Sequence, residues 1–210
     1  MACNPDRHHR RSIRLKGYDY SRAGAYFVTL CTQNRECLFG EVVGMEMVLN
    51  GAGRMVQTVW EDMGVYYSGV KTDEFVVMPN HVHGIIVLVG ATPRGRPDSL
   101  NRTDAGDGIH SGQAQGPAPT LSAPDVVHRF KTLTTKRYAD GVKQSGWPTF
   151  SGRLWQRNYY EHIIRDDASL DRIREYIVNN PAKWALDREN PDIVEARSNA
   201  ALPKDEPWRI

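Results

Sequence analysis

Two periodicities run through the chain, alternation every second residue and recurrence every three to four, and together they predict its elements. Ala25 to Thr32 (AYFVTLCT) alternates and is rich in β-formers, which predicts a first strand. Gln33-Asn34-Arg35 is polar and predicts a turn, and Leu38-Phe39-Gly40 reads as a short edge piece. Leu49, Met55, Val56, Val59, Trp60 and Met63 then recur at helical spacing. They predict a first helix from about Leu49 to Tyr67, weakened at its start by Gly51 and Gly53. Apolar runs on both sides of Pro79-Asn80, in FVVMPNHVHGIIVL, predict two adjacent strands, roughly Val70 to Met78 and His81 to Val89.

From Gly90 to Pro119 the chain turns to Gly, Pro, Ala, Ser, Asp and Thr, with only Leu100 and Ile109 as large apolar residues, and reads as a flexible insertion. Ser122-Ala-Pro-Asp125 has the form of a capping box. Val126, Val127, Phe130, Leu133 and Tyr138 follow it as the buried side of a second helix. Tyr159 to Ile164 predicts a fourth strand. Asp166 and Asp167 open a third helix with Leu170, Ile173 and Ile177 on its apolar stripe, running to about Asn179. The order β, α, β, β, α, β, α predicts an α+β fold of ferredoxin-like type, an antiparallel sheet with helices packed on one face. Residues 1–17 read as a basic arm, 18–184 as the domain with the insertion 90–119, and 185–210 as a polar tail.

Chemistry concentrates in two places. Residues two apart on a strand project from the same face, so His81 and His83 face one spot while Val82 points to the other layer. Such a pair can hold a divalent ion; it also fits the wet face of an edge strand. On the third helix Tyr176 and Asn180 lie four residues apart and share a face. A tyrosine there can serve as a covalent nucleophile towards a phosphodiester, or as an amphipathic core-edge residue. Asn180 offers a carbonyl oxygen to a metal, or caps a new short helix opened by Pro181.

Composition narrows the classes. No run of about 18 apolar residues exists, so a membrane span is not expected, and the N-terminal stretch lacks the apolar middle of a secretory signal. The 3 cysteines form no C-x-x-C pair, which argues against a zinc finger or disulfide framework and for a cytoplasmic setting. The net charge of +2 identifies no partner, but its distribution is uneven. Arg7, Arg10, Arg11, Arg14 and Lys16 crowd the start, an arm that suits a polyanion or simply a solvated tail. The second helix carries Arg129, Lys131, Lys136 and Arg137 on its outer faces, where a phosphate-facing surface and a merely soluble one look alike. An amidohydrolase barrel, which also uses H-x-H, needs about 250 residues of repeated β-α units that this chain lacks.

The segments YFVTLCTQNRECLFG, FVVMPNHVHGIIVL, FKTLTTKRY, LWQRNYYEHIIRD and REYIVNNPAKW, in this order, resemble the REP-associated tyrosine transposases, a branch of the single-strand HUH transposases. The likeness runs from about Tyr18 to Trp184. It implies that His81 and His83 bind a divalent ion, Mg2+ or Mn2+, with Asn180 where relatives have a polar third ligand, commonly glutamine. It implies Tyr176 as the nucleophile that cleaves single-stranded DNA beside a REP-like hairpin through a 5′-phosphotyrosine link. Arg157 and Trp155, with Arg10, Arg11, Arg14, Lys131, Lys136 and Arg137, are the expected DNA contacts. The resemblance implies a nucleoid-associated DNA enzyme, monomeric or homodimeric. A nucleic-acid-binding protein without catalysis is the alternative on the same scaffold.

Overall fold

The computed structural model describes residues 15, 17–89 and 121–193. Within them six strands and three α-helices follow one another: β1 (Gly24–Cys31), β2 (Gly40–Val43), β3 (Glu46–Leu49), α1 (Gly51–Tyr66), β4 (Val70–Val77), β5 (His81–Leu88), α2 (Ala123–Ser145), β6 (Tyr160–Ile164) and α3 (Asp167–Val178). Four strands make one antiparallel sheet in the order β4-β5-β1-β6. With α1 joining β1 to β4 and α2 joining β5 to β6, this is the ferredoxin-like arrangement expected from the sequence. The basic arm with Arg10, Arg11 and Arg14 lies outside the described residues, as do the insertion 90–119 and residues 194–210.

Alternation along the central strands sorts the core into two layers. Tyr26, Val28 and Leu30 of β1 and Val82, Ile86 and Leu88 of β5 pack with Val56, Val59, Trp60 and Met63 of α1 and Val126, Val127, Phe130 and Tyr138 of α2. Phe27 and Ile85 turn to the other face and pack with Ile164, Ile173 and Ile177. Thus α1 and α2 cover one face, as expected, while α3 covers the opposite one. The reason is chain length: the βαββαβ core is complete at β6, so a helix that follows directly has only the uncovered face to bury its stripe against. Each fully buried Ile or Phe of that second layer contributes about 1.5–3 kcal/mol.

Caps and clamps fix the helices. The Asn50 side chain accepts from the Gly53 amide at 2.9 Å, so α1 begins two residues later than its apolar period suggests, and Leu49 closes β3 instead. Gly53 is required there because the Phe39 carbonyl lies where a side chain would start. The capping box of α2 forms as read, with Ser122 and Asp125 bonding reciprocally. For α3, Asp166 accepts from the Ser169 amide at 2.7 Å. Its outer side is tied to the sheet by Arg174, which donates to both carboxylate oxygens of Asp73 at 2.9 and 2.6 Å. Asp73 sits in the irregularity of β4 between Thr72 and Phe75, a bulge that re-aims its side chain.

The β2–β3 hairpin is the element that the hydrophobic pattern misses. Its turn places Gly44 and Met45 at φ of 58° and 71°, the left-handed pair of a two-residue hairpin turn. Methionine is an unusual residue there, which leaves Gly44 to mark the turn in the local sequence.

Gly84 on β5 lets Trp60 and Phe75 stack at a 4.5 Å centroid distance across the strand. A Cβ at this position would stand 2.5 Å from Trp60 Cζ2 and 2.8 Å from Phe75 Cδ2. Gly84→Ala is therefore expected to overpack this layer and cost about 1–3 kcal/mol, read as a lower urea midpoint at unchanged slope.

Candidate metal and tyrosine site

The site grows from the middle of the sheet. β5 is hydrogen-bonded on both sides, and its register sets Thr29 opposite His83 and Cys31 opposite His81. Both imidazoles are buried, His81 at 0% and His83 at 3% exposure, on the face that α3 covers. An edge strand with a wetted face is thereby ruled out. The two Nε2 atoms lie 3.1 Å apart. His83 Nδ1 is 2.8 Å from Thr29 Oγ1, and His81 Nδ1 is 2.8 Å from Asn80 Oδ1. The Phe27 ring stacks on His83 at a centroid distance of 5.5 Å.

Tyr176 arrives from α3. Its ring stands on edge against Phe27, and its hydroxyl reaches within 3.4 Å of His83 Nε2. Asn180, one turn later, is buried at 1% exposure. It occupies the N-cap position of the 3-10 turn Pro181–Leu186, but its side chain makes no capping bond. It hydrogen-bonds the Tyr176 hydroxyl instead, and its Oδ1 has no hydrogen-bond partner among the described residues.

A third candidate ligand comes from a segment assigned by its polarity to the tail. Asp187 Oδ2 lies 3.8 Å from His81 Nε2, and one ligand atom each from His81, His83 and Asp187 fall within 4.8 Å of one another. The segment is strapped down by its neighbours: Glu189 accepts from Arg35 Nε at 2.8 Å, and its backbone carbonyl accepts from Asn80 Nδ2 at 2.7 Å. No local sequence signal marks Asp187. It is brought in by the turn after α3 and by contacts to residues more than a hundred positions away.

Electrostatics favour a ligand set over an ion pair. Burial pushes His81 below its ordinary value despite the nearby Asp187 and Glu189 charges. Burial and the His81 charge push His83 far lower. Both rings are thus neutral at pH 7, with lone pairs available. Burial foremost, and then the Asp187 charge, raise the Tyr176 phenol, while Arg188 and the Asn180 hydrogen bond act in the opposite sense. Two imidazoles, a carboxylate and an unpartnered buried amide oxygen make a donor set suited to a divalent cation of the manganese or zinc kind. The 3.1 Å between the two Nε2 atoms is close to the roughly 3 Å separating two nitrogen ligands on one such ion. The residues present therefore fit a metal.

Of the expected DNA contacts, Trp155 is corrected by its burial, and Lys131, of intermediate exposure, is engaged within the fold. Trp155 is 4% exposed, packed on Phe39 and Phe130, and its Nε1–H donates to Thr134 Oγ1 at 2.8 Å, so its ring has no free face for a base. The Lys131 ammonium donates to the Gln156 carbonyl at 2.9 Å, and burial lowers its pKa to about 8. It is a staple between α2 and the segment before β6. Lys136 and Arg137 are exposed on α2, in the helical layer opposite the imidazoles. Arg157 is exposed and follows Gln156, which bonds the Cys31 and Thr32 carbonyls at the histidine end of β1.

The chain thus presents a ferredoxin-like sheet carrying a two-histidine, one-carboxylate cluster with a tyrosine at its rim. The chain belongs to one family with an uncharacterized protein of Haemophilus influenzae, to which it is 41% identical over 187 residues, spanning 86% of this chain and 93% of that one. No family model matches the chain. Among solved structures it is similar to a REP-associated tyrosine transposase bound to a REP hairpin, at 18% identity and a TM-score of 0.48 over 81% of this chain and 73% of that one. It is also similar to a Deinococcus radiodurans protein provisionally described as a transposase, at 18% identity and a TM-score of 0.40 over 79% and 95% of the two chains.

Removing a ligand should show in binding of the ion alone. Asp187→Ala is expected to weaken Mn2+ binding at least about tenfold by calorimetry, without loss of the folded near-ultraviolet spectrum. The neutral, buried histidines also set a pH dependence. Below about pH 6.5 the unfolded chain takes up protons that the folded one refuses, so stability falls as pH drops from there towards 5. Urea midpoints at pH 7.5 and 5.5 should differ less in His83→Gln than in the parent chain.

Proposed function

We propose that this protein is a metal-assisted tyrosine transposase that cleaves and rejoins single-stranded DNA beside a hairpin. The observation that carries the reading is the approach of the Tyr176 hydroxyl to within 3.4 Å of His83 Nε2, at the rim of the His81, His83 and Asp187 cluster. The order of five sequence segments resembling the REP-associated tyrosine transposases supports it independently. A bound Mg2+ or Mn2+, held by His81, His83 and Asp187 with Asn180 Oδ1 as a further donor, supplies Lewis-acid stabilisation of the phosphate charge.

The chain's own groups do the rest. Tyr176 Oη gives up its proton to solvent and attacks the phosphorus, the bond from phosphorus to the 3′ oxygen breaks, and the products are a 5′-phosphotyrosine and a 3′ oxygen that takes up a proton to become a free 3′-hydroxyl. A 3′-hydroxyl attacking the same phosphorus reverses the step and rejoins strands, so neither water nor a nucleotide is consumed. The Asn180 hydrogen bond and the Arg188 charge favour the phenolate at the moment of attack, against burial and the Asp187 charge. Arg157, exposed at the histidine end of the sheet, would meet DNA backbone entering the site, and Lys136 and Arg137 would offer a second basic surface away from the chemistry. Arg10, Arg11 and Arg14 add cations to the same polyanion. A cytoplasmic, nucleoid-associated protein follows from this reading.

Incubation with Mn2+ and a 3′-labelled hairpin oligonucleotide bearing single-stranded flanks tests the proposal. A denaturant-resistant protein–DNA adduct, mapped by mass to the peptide containing Tyr176, is the expected outcome. Tyr176→Phe is expected to lose at least about 10³-fold in adduct yield while retaining hairpin binding, and chelation is expected to abolish the adduct. Hairpin binding by the parent chain with no adduct under any divalent ion would make it a binding module instead.

A further inference from the structure

Asn80, in the turn between β4 and β5, is fully buried and uses each polar group of its side chain. Its Nδ2 meets two backbone carbonyls, Arg35 O at 3.1 Å and Glu189 O at 2.7 Å. Carbonyls only accept, so the amide orientation is fixed: the NH2 faces them and the oxygen faces His81. That oxygen, 2.8 Å from His81 Nδ1, can only accept in turn. His81 therefore carries its proton on Nδ1 and turns a bare Nε2 lone pair to the centre of the site.

His83 receives no such instruction. Its Nδ1 meets the Thr29 hydroxyl at 2.8 Å, a group that donates or accepts with equal ease. The two Nε2 atoms stand 3.1 Å apart, a distance at which two lone pairs repel. Without a cation between them, one nitrogen must hold a hydrogen, and with His81 fixed it is His83.

We propose that Asn80 is the positioning residue of the metal centre. It locks His81 as the Nδ1–H tautomer, leaves His83 as the ring whose proton relocates when an ion enters, and latches the segment that delivers Asp187. The inference rests on the metal reading of the site. On ion uptake His83 gives its Nε2 proton to solvent and takes one at Nδ1, with the Thr29 hydroxyl turning from donor to acceptor. No net proton is released and no other reactant is needed.

The test uses the full chain labelled with 15N-histidine at pH 7.5, read by long-range proton–nitrogen spectra. In the metal-free chain His81 is expected as Nδ1–H and His83 as Nε2–H. Saturating Mg2+ is expected to convert His83 to Nδ1–H and leave the His81 tautomer unchanged. Asn80→Asp separates the two roles, since its carboxylate still accepts from His81 but cannot donate to the Arg35 and Glu189 carbonyls. It should keep the His81 tautomer and lose about tenfold or more in Mn2+ affinity by calorimetry. Asn80→Ala should lose both; should it fail to fold, Asn80→Asp carries the test. An Nε2–H tautomer at His81 in the parent chain, or parental Mn2+ affinity in Asn80→Asp, overturns the proposal. A parent chain with both metal-free tautomers as stated but no affinity for Mn2+ or Mg2+ overturns the metal reading, and leaves the Asn80 lock on His81 standing.

Discussion

The register of β5 is the constraint on which the molecule depends. The strand is paired on both sides, and Val82, Ile86 and Leu88 are committed to the layer under α1 and α2. A shift of one residue would turn both imidazoles into that apolar layer and move the valine and isoleucine that fill it to the face under α3. The same hydrophobic alternation that folds the sheet thus aims His81 and His83 at α3. Gly84, the next residue in line, enforces it again, because only there do the Trp60 and Phe75 rings find room.

Around this fixed pair the remaining groups are held by progressively longer connections. Tyr176 comes from a helix seated by Ile173 and Ile177 and by the two-pronged bond from Arg174 to Asp73. Asp187 comes from a turn beyond it, held through Glu189 and Asn80. The centre is rigid where it derives from the sheet, and its rim is assembled from segments that follow the completed core. Burial keeps both rings neutral, so lone pairs and one carboxylate face one another in a group able to hold a cation.

Most of the scaffold was legible because its signals are periodic. The alternation in AYFVTLCT and HVHGIIVL, the capping box at Ser122 and the stripe Leu170, Ile173, Ile177 each specify an element with local information. The pairing of His81 with His83, and of Tyr176 with Asn180, follows from the same two periods. What escaped has no local period. Asp187 is one acid in a polar stretch, and its place depends on how Glu189 meets Arg35. Trp155 resembles an exposed aromatic ready to stack until Thr134, a polar residue buried on α2, supplies the acceptor that lets the indole sink into the core. The β2–β3 hairpin turns at Gly44-Met45, and Leu49 extended the helical recurrence one residue past a cap that only the Asn50 side chain reveals.

The hydroxyl of Tyr176 meets an imidazole of its own polypeptide. The cluster and the tyrosine at its rim, from the sheet to the last turn, therefore come together within one folded chain, although 93 positions of sequence separate His83 from Tyr176.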